Sequence, residues 1–193
     1  MSERIGNITL VEPGDIWVFA YGSLMWDPGF AFEERVPAAL GGYHRAFCVS
    51  SPSYRGTREK PGLVLGLIRG GSCRGIALRV AAARRREVME YLEAREMPEP
   101  IYHCKLLRMR IPAGPIHAYG FVVNRSHELY TGKLSFDAIA RRILESEGNR
   151  GPNRAYLANT VRHLDELGLA DTTIHAIQRA VERLAESRPA AGL

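Results

Sequence analysis

The side chain best placed to do chemistry is a carboxylate, Glu96, that stands where a helix would bury an apolar residue. The segment 81–96 has helical spacing, and Val88, Leu92 and Glu96 recur every fourth residue, so they share one face. Glu96 also falls in the last turn of this predicted helix, where the helix dipole disfavours an anion by about 0.3–1 kcal/mol. Residues that break local rules in this way are expected at functional or strained sites.

Two roles for Glu96 follow from its position. Burial raises the pKa of a carboxyl group by desolvation, which suits such a group to general acid–base catalysis near neutral pH. The alternative is a structural ion pair with Arg95 or Arg45, and Arg95 falls in the same arc of the helix. Pro98 predicts that the helix ends at Met97, because the residue before a proline disfavours helical geometry.

A second candidate feature is the stretch WVFAYGSLMW, residues 17–26. Residues 17–21 form a short run rich in aromatic and β-branched side chains, which predicts a buried strand. Gly22 and Ser23 end the strand, and successive backbone N–H groups in such a turn can hold a carboxylate or a developing oxyanion. Gly22 suits this role because glycine tolerates a positive φ and lets a ligand approach the backbone closely. The alternative is a buried strand with an ordinary tight turn.

Composition places the chain among ordinary globular proteins. Of its 193 residues 46% are hydrophobic and 24% are charged, so we expect a single domain over 1–193 with its core at about 17–187. No apolar run approaches the ~20 residues of a membrane helix, and residues 1–6 lack an apolar signal segment. We therefore expect a cytoplasmic protein with no membrane partner. Residues 1–15 are interpreted as a loose lead-in.

The distribution of charge indicates which kinds of ligand and partner to expect. The net charge of +5 permits an anionic ligand without requiring one. The basic run at residues 84–86 lies among glutamates at a predicted helix start, so we interpret it as a solvated helix face. Because no basic stripe with interleaved aromatic residues is present, we expect no nucleic-acid partner. The sequence indicates no particular oligomeric state.

The cysteines predict neither a metal site nor a disulfide framework. Cys48, Cys73 and Cys104 are far apart and odd in number, and no Cys/His cluster has the spacing of a metal motif. We expect buried, reduced thiols and no metal.

The order of predicted elements indicates an α+β fold, because most strands precede most helices. A long polar loop at 50–62 is a candidate binding segment. The predicted strands are 17–21, 43–49, 63–68, 73–80, 102–111 and 116–124, with a hairpin turn at 70–72. The predicted helices are 81–96, 135–146, 152–167 (stopped by Gly168) and 171–187 (capped by Asp171).

Several motifs together indicate a family. Tyr21-Gly22-Ser23-Leu24 after a buried aromatic strand, with Arg95-Glu96-Met97 later in the chain, resembles the γ-glutamylcyclotransferases of the ChaC type. Further matches follow in the order GYHRAFC (42–48), RGT (55–57), PG (61–62), 75–79 and NRAYL (153–157). YGSL alone would be modestly specific, whereas YGSL, HRAFC, REM and NxxYL in this order are very specific. The resemblance covers residues 17–184, nearly the whole chain.

The resemblance implies a small mixed β-barrel with surrounding helices, which agrees with the predicted α+β class. It implies the conversion of glutathione, a small-molecule substrate, to 5-oxoproline and cysteinylglycine without metal, nucleotide or other cofactor. It assigns the catalytic acid/base role to Glu96. The pocket residues that it implies are Tyr21, Gly22, Ser23, Leu24 and Tyr102.

The substrate suggests further contacts. Glutathione carries two carboxylates, and Arg45, Arg55 and Arg58 are candidate partners, although arginines in loops are usually just solvated. We include Arg45 among the predicted substrate-binding residues. Ser23 has no evident His or Asp partner, so we interpret it as a binding residue rather than a nucleophile.

Two departures from the family pattern bear on specificity. Ala20 replaces a glycine that often precedes the YGSL tyrosine, which is a mild change. Residues 97–101 read MPEPI, a stiffer segment than the glycine-containing one usual in the family. The alternative functions are a cyclotransferase for other γ-glutamyl amino acids or γ-glutamylamines, and a non-catalytic module that binds γ-glutamyl anions. A simple anion receptor would gain nothing from the Glu96 carboxylate.

Overall fold

Strands dominate the first two thirds of the chain, and helices dominate the last third. The computed structural model describes residues 3–11, 13–169 and 171–187. The strands are β1 Glu3–Ile5, β2 Ile8–Leu10, β3 Ile16–Ala20, β4 Glu34–Ser51, β5 Gly62–Val80, β6 Tyr102–Ile111, β7 Gly114–Val123, β8 Glu147–Gly148 and β9 Gly151–Pro152. The helices are α1 Arg85–Glu96, α2 Phe136–Glu145, α3 Asn153–Glu166 and α4 Thr172–Glu186, with short 3-10 turns at Ser23–Met25 and Ala82–Arg84.

Five strands close into a barrel in the order β3-β5-β4-β6-β7. β3 runs antiparallel to β5 and parallel to β7, where Val18 lies opposite Tyr119. β5 also pairs with β7 in parallel, whereas β6 runs antiparallel to both β4 and β7. Parallel and antiparallel pairs therefore occur in one barrel. This architecture confirms the predicted α+β class and the small mixed barrel.

The chain divides into two compact units. The first consists of Met1–Arg45 and Gly66–His127, and its most buried side chains include Phe19, Leu67, Met89 and Phe121. The second consists of Ala46–Leu65 and Glu128–Leu193, and its most buried side chains include Leu63, Ile143, Leu164 and Ile174. The expectation of a single domain over 1–193 stays a prediction.

The predicted hairpin at 70–72 is wrong, because the two predicted strands around it are one continuous strand, β5. Gly70 and Gly71 do have positive φ values, 108° and 67°. The two ends of β5 pair with different neighbours, since Leu67 lies opposite β7 and residues 76–80 lie opposite β3. Glycines within a strand permit a bulge or a bend, and here they redirect the strand instead of reversing it.

The interpretation of residues 1–15 as a loose lead-in is wrong for 3–10. β1 pairs antiparallel with β2, and this small hairpin buries Ile5, Ile8 and Leu10. Glu3 forms ion pairs with two arginines of the basic run at 84–86, near the start of α1. The buried isoleucines and leucine explain why this short segment is ordered, because apolar burial favours folding.

The predicted helices 135–146, 152–167 and 171–187 are confirmed to within one residue at each end, and the predicted end of 81–96 is confirmed at Glu96. The predicted start at 81 is wrong, because residues 82–84 form a 3-10 turn and α1 begins at Arg85. The Ser135 hydroxyl accepts a hydrogen bond from Ala138 N–H, and the Asp171 carboxylate accepts one from Ile174 N–H, so both side chains are N-caps. Gly168 follows α3 with a φ of 61°, as a helix-ending glycine does. None of the helices in the described part of the chain combines the length and apolar character that crossing a membrane requires.

Candidate active site

Glu96 is the last residue of α1 and lies on the face of the helix that packs inward. On the same face Val88 is 1% exposed and Leu92 is fully buried, which confirms the predicted buried stripe. The Glu96 side chain keeps 20% of its surface accessible. Desolvation raises the pKa of the Glu96 carboxyl above its ordinary value, and the charge and hydrogen bond of Arg95 oppose part of that rise. A desolvated yet reachable carboxylate has the properties of a general base.

Arg95 connects Glu96 with the YGSL turn. Its Nε lies 3.2 Å from Glu96 Oε1, and its Nη2 donates a hydrogen bond of 3.3 Å to the Ser23 hydroxyl. Ser23 and Glu96 are therefore held by two different nitrogens of one planar guanidinium. The ion pair between Arg95 and Glu96 that the structural interpretation predicted is confirmed, and the catalytic role of Glu96 stays a prediction.

The same guanidinium also contacts the segment that follows the turn. Its Nη1 donates to the Tyr91 hydroxyl at 2.8 Å and to the Pro28 carbonyl at 3.3 Å. Its Nη2 lies 3.9 Å from a carboxylate oxygen of Asp27. We call Ser23, Asp27, Tyr91, Arg95 and Glu96 the Arg95 cluster. Sequence reasoning identified Arg95 only as an ion-pair partner, although its i, i+4 spacing from Tyr91 on a helix was a signal that the two could meet.

The YGSL turn is a short 3-10 helix over Ser23–Met25. Met25 N–H donates to the Gly22 carbonyl at 2.9 Å, and Asp27 N–H donates to the Ser23 carbonyl at 2.9 Å. In such a turn the first N–H groups have no acceptor inside the helix itself, so they are suited to an external acceptor. Gly22 has φ −134°, and the idea that glycine is needed there for a positive φ is therefore wrong. The turn is built by 3-10 hydrogen bonding, which requires no left-handed residue.

Arg45 and Tyr21 fix the start of this turn. Arg45 is only 3% exposed, and its Nη1 donates to the Tyr21 carbonyl at 2.8 Å and lies 3.9 Å from Met25 Sδ. The Tyr21 hydroxyl donates to the Phe121 carbonyl on β7 at 2.8 Å. Leu24 is 6% exposed and contributes to the core. Tyr21, the residue that precedes the turn, is therefore anchored by two buried hydrogen bonds.

Tyr102 begins β6 and lies opposite Val123 on β7. The Tyr21 hydroxyl reaches Phe121, which is two residues before Val123 and therefore about 7 Å from it along the strand. This register brings Tyr102 near the β7 segment that Tyr21 contacts. The substrate-binding roles of Tyr21, Gly22, Ser23, Leu24, Arg45 and Tyr102 stay predictions.

A cavity of about 400 Å³ lies beside the Arg95 cluster and meets it at Tyr91. The other residues that line the cavity are Gly29, Phe30, Ala31, Arg84, Glu87 and Val88. None of the predicted pocket residues lines this cavity. Across the described ranges, no group of three or more His, Cys, Asp or Glu side chains is arranged to hold a metal ion.

The cysteines are thiols of different exposure. Cys48 and Cys73 are buried, and Cys104 is partly buried. Burial raises the pKa of the Cys104 thiol to about 12, so this group is protonated and unreactive at neutral pH.

Motifs in the second unit form another cluster, centred on Asn153. The fully buried Asn153 side chain accepts a hydrogen bond from Leu63 N–H at 2.7 Å and donates one to the Leu63 carbonyl at 2.8 Å. A Cβ on Gly62 would collide with the Arg55 carbonyl, and Cβ atoms on Gly56 and Gly148 would collide with neighbouring backbone. We call Gly56, Gly62, Leu63, Gly148 and Asn153 the Asn153 cluster.

Comparison with known proteins agrees with the geometry. The family described as ChaC-like protein matches residues 16–184. A glutathione-specific gamma-glutamylcyclotransferase from Escherichia coli strain K12 is 32% identical over 180 residues, which span 92% of this chain and 78% of that protein. The glutathione-specific gamma-glutamylcyclotransferase 1 of Mus musculus is 31% identical over 180 residues, or 90% of this chain and 81% of that protein. A crystal structure of a gamma-glutamyl cyclotransferase specific to glutathione from yeast superposes with a TM-score of 0.80 at 22% identity, covering 88% of this chain and 96% of that one, which shows the shared fold.

Proposed function

This chain belongs to the ChaC-like family, and on that premise we propose that it is a γ-glutamylcyclotransferase that cleaves glutathione to 5-oxoproline and cysteinylglycine. One observation carries the proposal. A desolvated carboxylate, Glu96, ends a helix directly beside the YGSL turn, with Arg95 bonded to both. The relatives named for this activity supply the substrate class. The proposal includes a small-molecule substrate and a cytoplasmic location.

Glu96 acts as the general base and then the general acid. The substrate α-amine arrives as an ammonium and becomes a nucleophile only after it loses a proton to the Glu96 carboxylate. The freed nitrogen attacks the γ-carbonyl carbon, a new C–N bond closes the five-membered lactam, and the amide bond to cysteine breaks. The protonated Glu96 gives this proton to the cysteinyl nitrogen as the amide bond breaks. The Glu96 carboxylate then takes the second proton from the ring nitrogen, which becomes the lactam N–H, and passes it to the released amine, which leaves as an ammonium. A carboxyl group with a raised pKa suits both transfers, because it binds a proton more readily than an ordinary glutamate.

The turn at Ser23 supplies the second part of the site. Charge develops on the γ-carbonyl oxygen during attack, and in this proposal the backbone N–H groups at 22–24 stabilise that oxygen or hold a substrate carboxylate. Ser23 acts here through its backbone, since its hydroxyl already accepts from Arg95. Donors fixed by a 3-10 turn cost little to reorganise during the reaction.

Most of the rate enhancement in this proposal comes from holding the substrate in a folded shape. The amine and the carbonyl belong to one molecule, so the enzyme has to bring them into the geometry of ring closure. Well-oriented intramolecular attack can remove about 7–11 kcal/mol from a barrier. Buried anchors such as Arg45 and Tyr21 keep the turn rigid enough to exploit this effect.

The nature of the glutamyl product tests the mechanism. In water enriched in oxygen-18, cyclisation of glutathione gives unlabelled 5-oxoproline, because water takes no part in cleaving the bond. Hydrolysis would give glutamate that carries the label. Labelled glutamate as the main initial product would contradict both the cyclotransferase assignment and the role of Glu96 as the base that frees the amine.

A substrate panel separates the alternatives. Glutathione and γ-glutamylalanine should be assayed in parallel, together with N-acetylglutathione as the matched control. We expect N-acetylglutathione to be inert, because the acetyl group blocks the nucleophile and leaves the scissile amide untouched. Preference for γ-glutamylalanine would assign a different γ-glutamyl substrate, and binding of glutathione without product would favour the non-catalytic module.

Activity is proposed to need no metal. Dialysis against EDTA followed by assay with glutathione checks this, and we expect full retention of kcat. Loss of activity that a divalent ion restores would contradict the proposal.

A further inference from the structure

We propose that Arg95 is a positioning residue of the active site, which holds the turn at Ser23 beside the helix end that carries Glu96 and fixes the direction of the Glu96 carboxylate. The arrangement itself is independent of the substrate. Its catalytic consequence rests on the proposed function.

The contacts of the guanidinium argue for positioning and against substrate binding. An arginine side chain has five N–H donors in a fixed plane. In Arg95, Nε meets Glu96 at 3.2 Å, and Nη1 donates to both Tyr91 and Pro28. Nη2 donates to Ser23 and faces the Asp27 carboxylate at 3.9 Å. Every nitrogen of the fork therefore has a protein acceptor, and the guanidinium is already engaged before any substrate carboxylate arrives.

The burial of Arg95 makes these contacts necessary. Its side chain is 20% exposed, so its charge is partly removed from water. A partly buried charge is costly unless it is paired and hydrogen-bonded. Removing the guanidinium would leave Glu96 without the cation beside it and would leave the Ser23 hydroxyl without its donor. A change at Arg95 therefore affects both halves of the proposed site.

The segment after the turn leaves little room for adjustment. Gly29 has φ +72°, and a Cβ there would collide with the Tyr91 hydroxyl and approach Arg95 Nη1 to 3.2 Å. The chain at 27–29 therefore packs directly against the Tyr91–Arg95 pair. Together with the hydrogen bonds of Arg95 to Ser23 and Pro28, this close packing supports a role of the guanidinium in holding the turn against α1.

The direction of the Glu96 carboxylate matters because proton transfer and ring closure both depend on geometry. A displacement of about 1 Å at a catalytic site can cost 10²-fold in rate. We expect Arg95→Met to lower kcat about 10²-fold while KM changes much less, because the lost interaction orients the site rather than the bound substrate.

The first test measures kcat and KM for glutathione over a range of pH in Arg95→Met and Arg95→Lys. Arg86→Met is the matched control, because Arg86 lies on the same helix, is 61% exposed and forms ion pairs with Glu3 and Glu90 away from the Arg95 cluster. We expect the acid limb of kcat/KM to move to higher pH in Arg95→Met, since Arg95 favours the charged form of Glu96. In Arg95→Lys we expect the acid limb of kcat/KM to lie at its wild-type pH, because an ammonium keeps the positive charge. We expect kcat to stay low in this variant, because lysine lacks the planar fork of donors. Arg86→Met should behave as wild type.

Two results would overturn the proposal. One is a wild-type kcat and an unmoved acid limb in folded Arg95→Met. The other is a raised KM with unchanged kcat, which would make Arg95 a substrate-binding residue. If Arg95→Met does not fold, Arg95→Lys and Ser23→Ala form a double-mutant cycle. Coupling between them in kcat supports the proposal, and strict additivity contradicts it.

The second test does not depend on turnover. Carbon-13 NMR of glutamate-labelled protein without substrate follows the Glu96 carboxyl through a pH titration in wild type and in Arg95→Met. The charged or titratable partners of the pair, Asp27 and Tyr91, are the same in both proteins. We expect the pKa of Glu96 to be higher in Arg95→Met, and an unchanged pKa would overturn the positioning role. A rise in this pKa together with inert wild-type protein would refute the proposed function and leave the role of Arg95 standing.

Discussion

The Arg95 cluster and the Asn153 cluster both contain motif residues, but different forces hold them together. In the Arg95 cluster, charged side chains contact each other at the edge of solvent, with Glu96 20% and Asp27 68% exposed. In the Asn153 cluster, a neutral side chain without solvent exposure bonds to both backbone groups of Leu63, and glycines allow backbone segments to touch.

From this difference we predict which cluster takes part in the proposed reaction and which one supports the structure. A desolvated carboxylate is unfavourable for stability and useful for proton transfer. A neutral amide with its hydrogen bonds satisfied by backbone contributes to stability and has no proton to exchange at neutral pH. Changes in the Arg95 cluster should therefore affect activity more than stability, and changes in the Asn153 cluster should do the reverse.

The largest expected effect comes from Glu96→Gln. Glutamine keeps the shape of the side chain and cannot cycle a proton, so we expect kcat to fall by about 10²–10⁴-fold. Steady-state assay with glutathione measures the loss. Glu90→Gln is the matched control, since Glu90 lies on the same helix and is 51% exposed, and it should retain wild-type kcat. Retention of more than about a tenth of kcat in Glu96→Gln would show that Glu96 is not the acid/base.

The same substitution should stabilise the protein at neutral pH. Because the pKa of Glu96 in the folded state is raised from 4.5, its contribution to stability is complete below that value and is lost as pH rises through the folded pKa. Each unit of such a rise corresponds to about 1.4 kcal/mol, and each kcal/mol to about 2–4 °C in Tm for a chain of this size. We expect Glu96→Gln to melt above wild type at pH 7 and to match it near pH 4. An equal or lower Tm at pH 7 would contradict the desolvation argument.

The next largest effect is on stability, from Asn153→Ala. The substitution leaves the Leu63 N–H and carbonyl buried without the amide, and each unsatisfied group costs about 1–3 kcal/mol, so we expect the free energy of unfolding to fall by about 2–5 kcal/mol. Urea denaturation measures it. Asn159→Ala on the same helix is the matched control, because Asn159 is exposed and alanine favours helix. A large loss of kcat in folded Asn153→Ala, with an unchanged free energy of unfolding, would contradict the prediction that the Asn153 cluster affects stability more than activity.

Most of the fold could be predicted from the sequence because the local sequence signals agree with the tertiary structure. Caps and stops such as Ser135, Asp171 and Gly168 defined helix ends, and the aromatic run at 17–21 defined the first barrel strand. The hairpin predicted at 70–72 is wrong because strand pairing in the barrel overrides the local preference. Glycine pairs favour hairpins locally, but the barrel needs one strand that changes neighbours midway, and pairing partners are not written in local sequence.

Only part of the site could be predicted from the sequence. Helical spacing identified Glu96 as a carboxylate on a buried face, and the order of motifs connected it with the YGSL turn. Spacing could not show that one guanidinium joins the two, because Ser23 and Arg95 are 72 residues apart and meet only through the fold. It also could not show that Gly22 lacks a positive φ, since glycine permits several backbone conformations.

A smaller effect on activity is expected from Ser23→Ala. The substitution removes one hydrogen bond from Arg95 and keeps the backbone N–H groups of the turn. A hydrogen bond of this kind contributes about 0.5–1.5 kcal/mol, so kcat should fall by roughly 2–10-fold. Steady-state kinetics measures it, and mass spectrometry of the wild type during turnover is the control. An inactive Ser23→Ala together with an acyl adduct on the wild-type protein would make Ser23 a nucleophile.

The smallest effect concerns a titratable group of the second unit, His175 on α4. One ring nitrogen lies 2.7 Å from the Asp171 carbonyl, and the other lies 2.8 Å from the Asp165 carboxylate on α3. The hydrogen bond to Asp171 and then the one to Asp165 raise the pKa of His175 above its ordinary value of 6.5, although desolvation opposes the rise. Both contacts favour the doubly protonated, charged imidazole, so this histidine links α3 to the start of α4 when it carries a proton.

The charged state of His175 gives this link a defined pH window. Because the folded pKa is raised, the stabilisation is complete below pH 6.5 and is lost as pH rises through the folded value. His175→Gln should therefore unfold about 0.5 kcal/mol more easily than wild type at pH 5.5, with the difference vanishing towards pH 9, a magnitude typical of a solvent-screened pair. Urea denaturation at the two pH values measures the difference, and Asp165→Asn should shrink it, since the partner charge is gone. The kcat of His175→Gln should equal that of wild type at every pH, because His175 lies in the second unit and outside the Arg95 cluster. A shift in the pH profile of kcat would show that the second unit takes part in the chemistry, and it would contradict the assignment of the chemistry to the first unit.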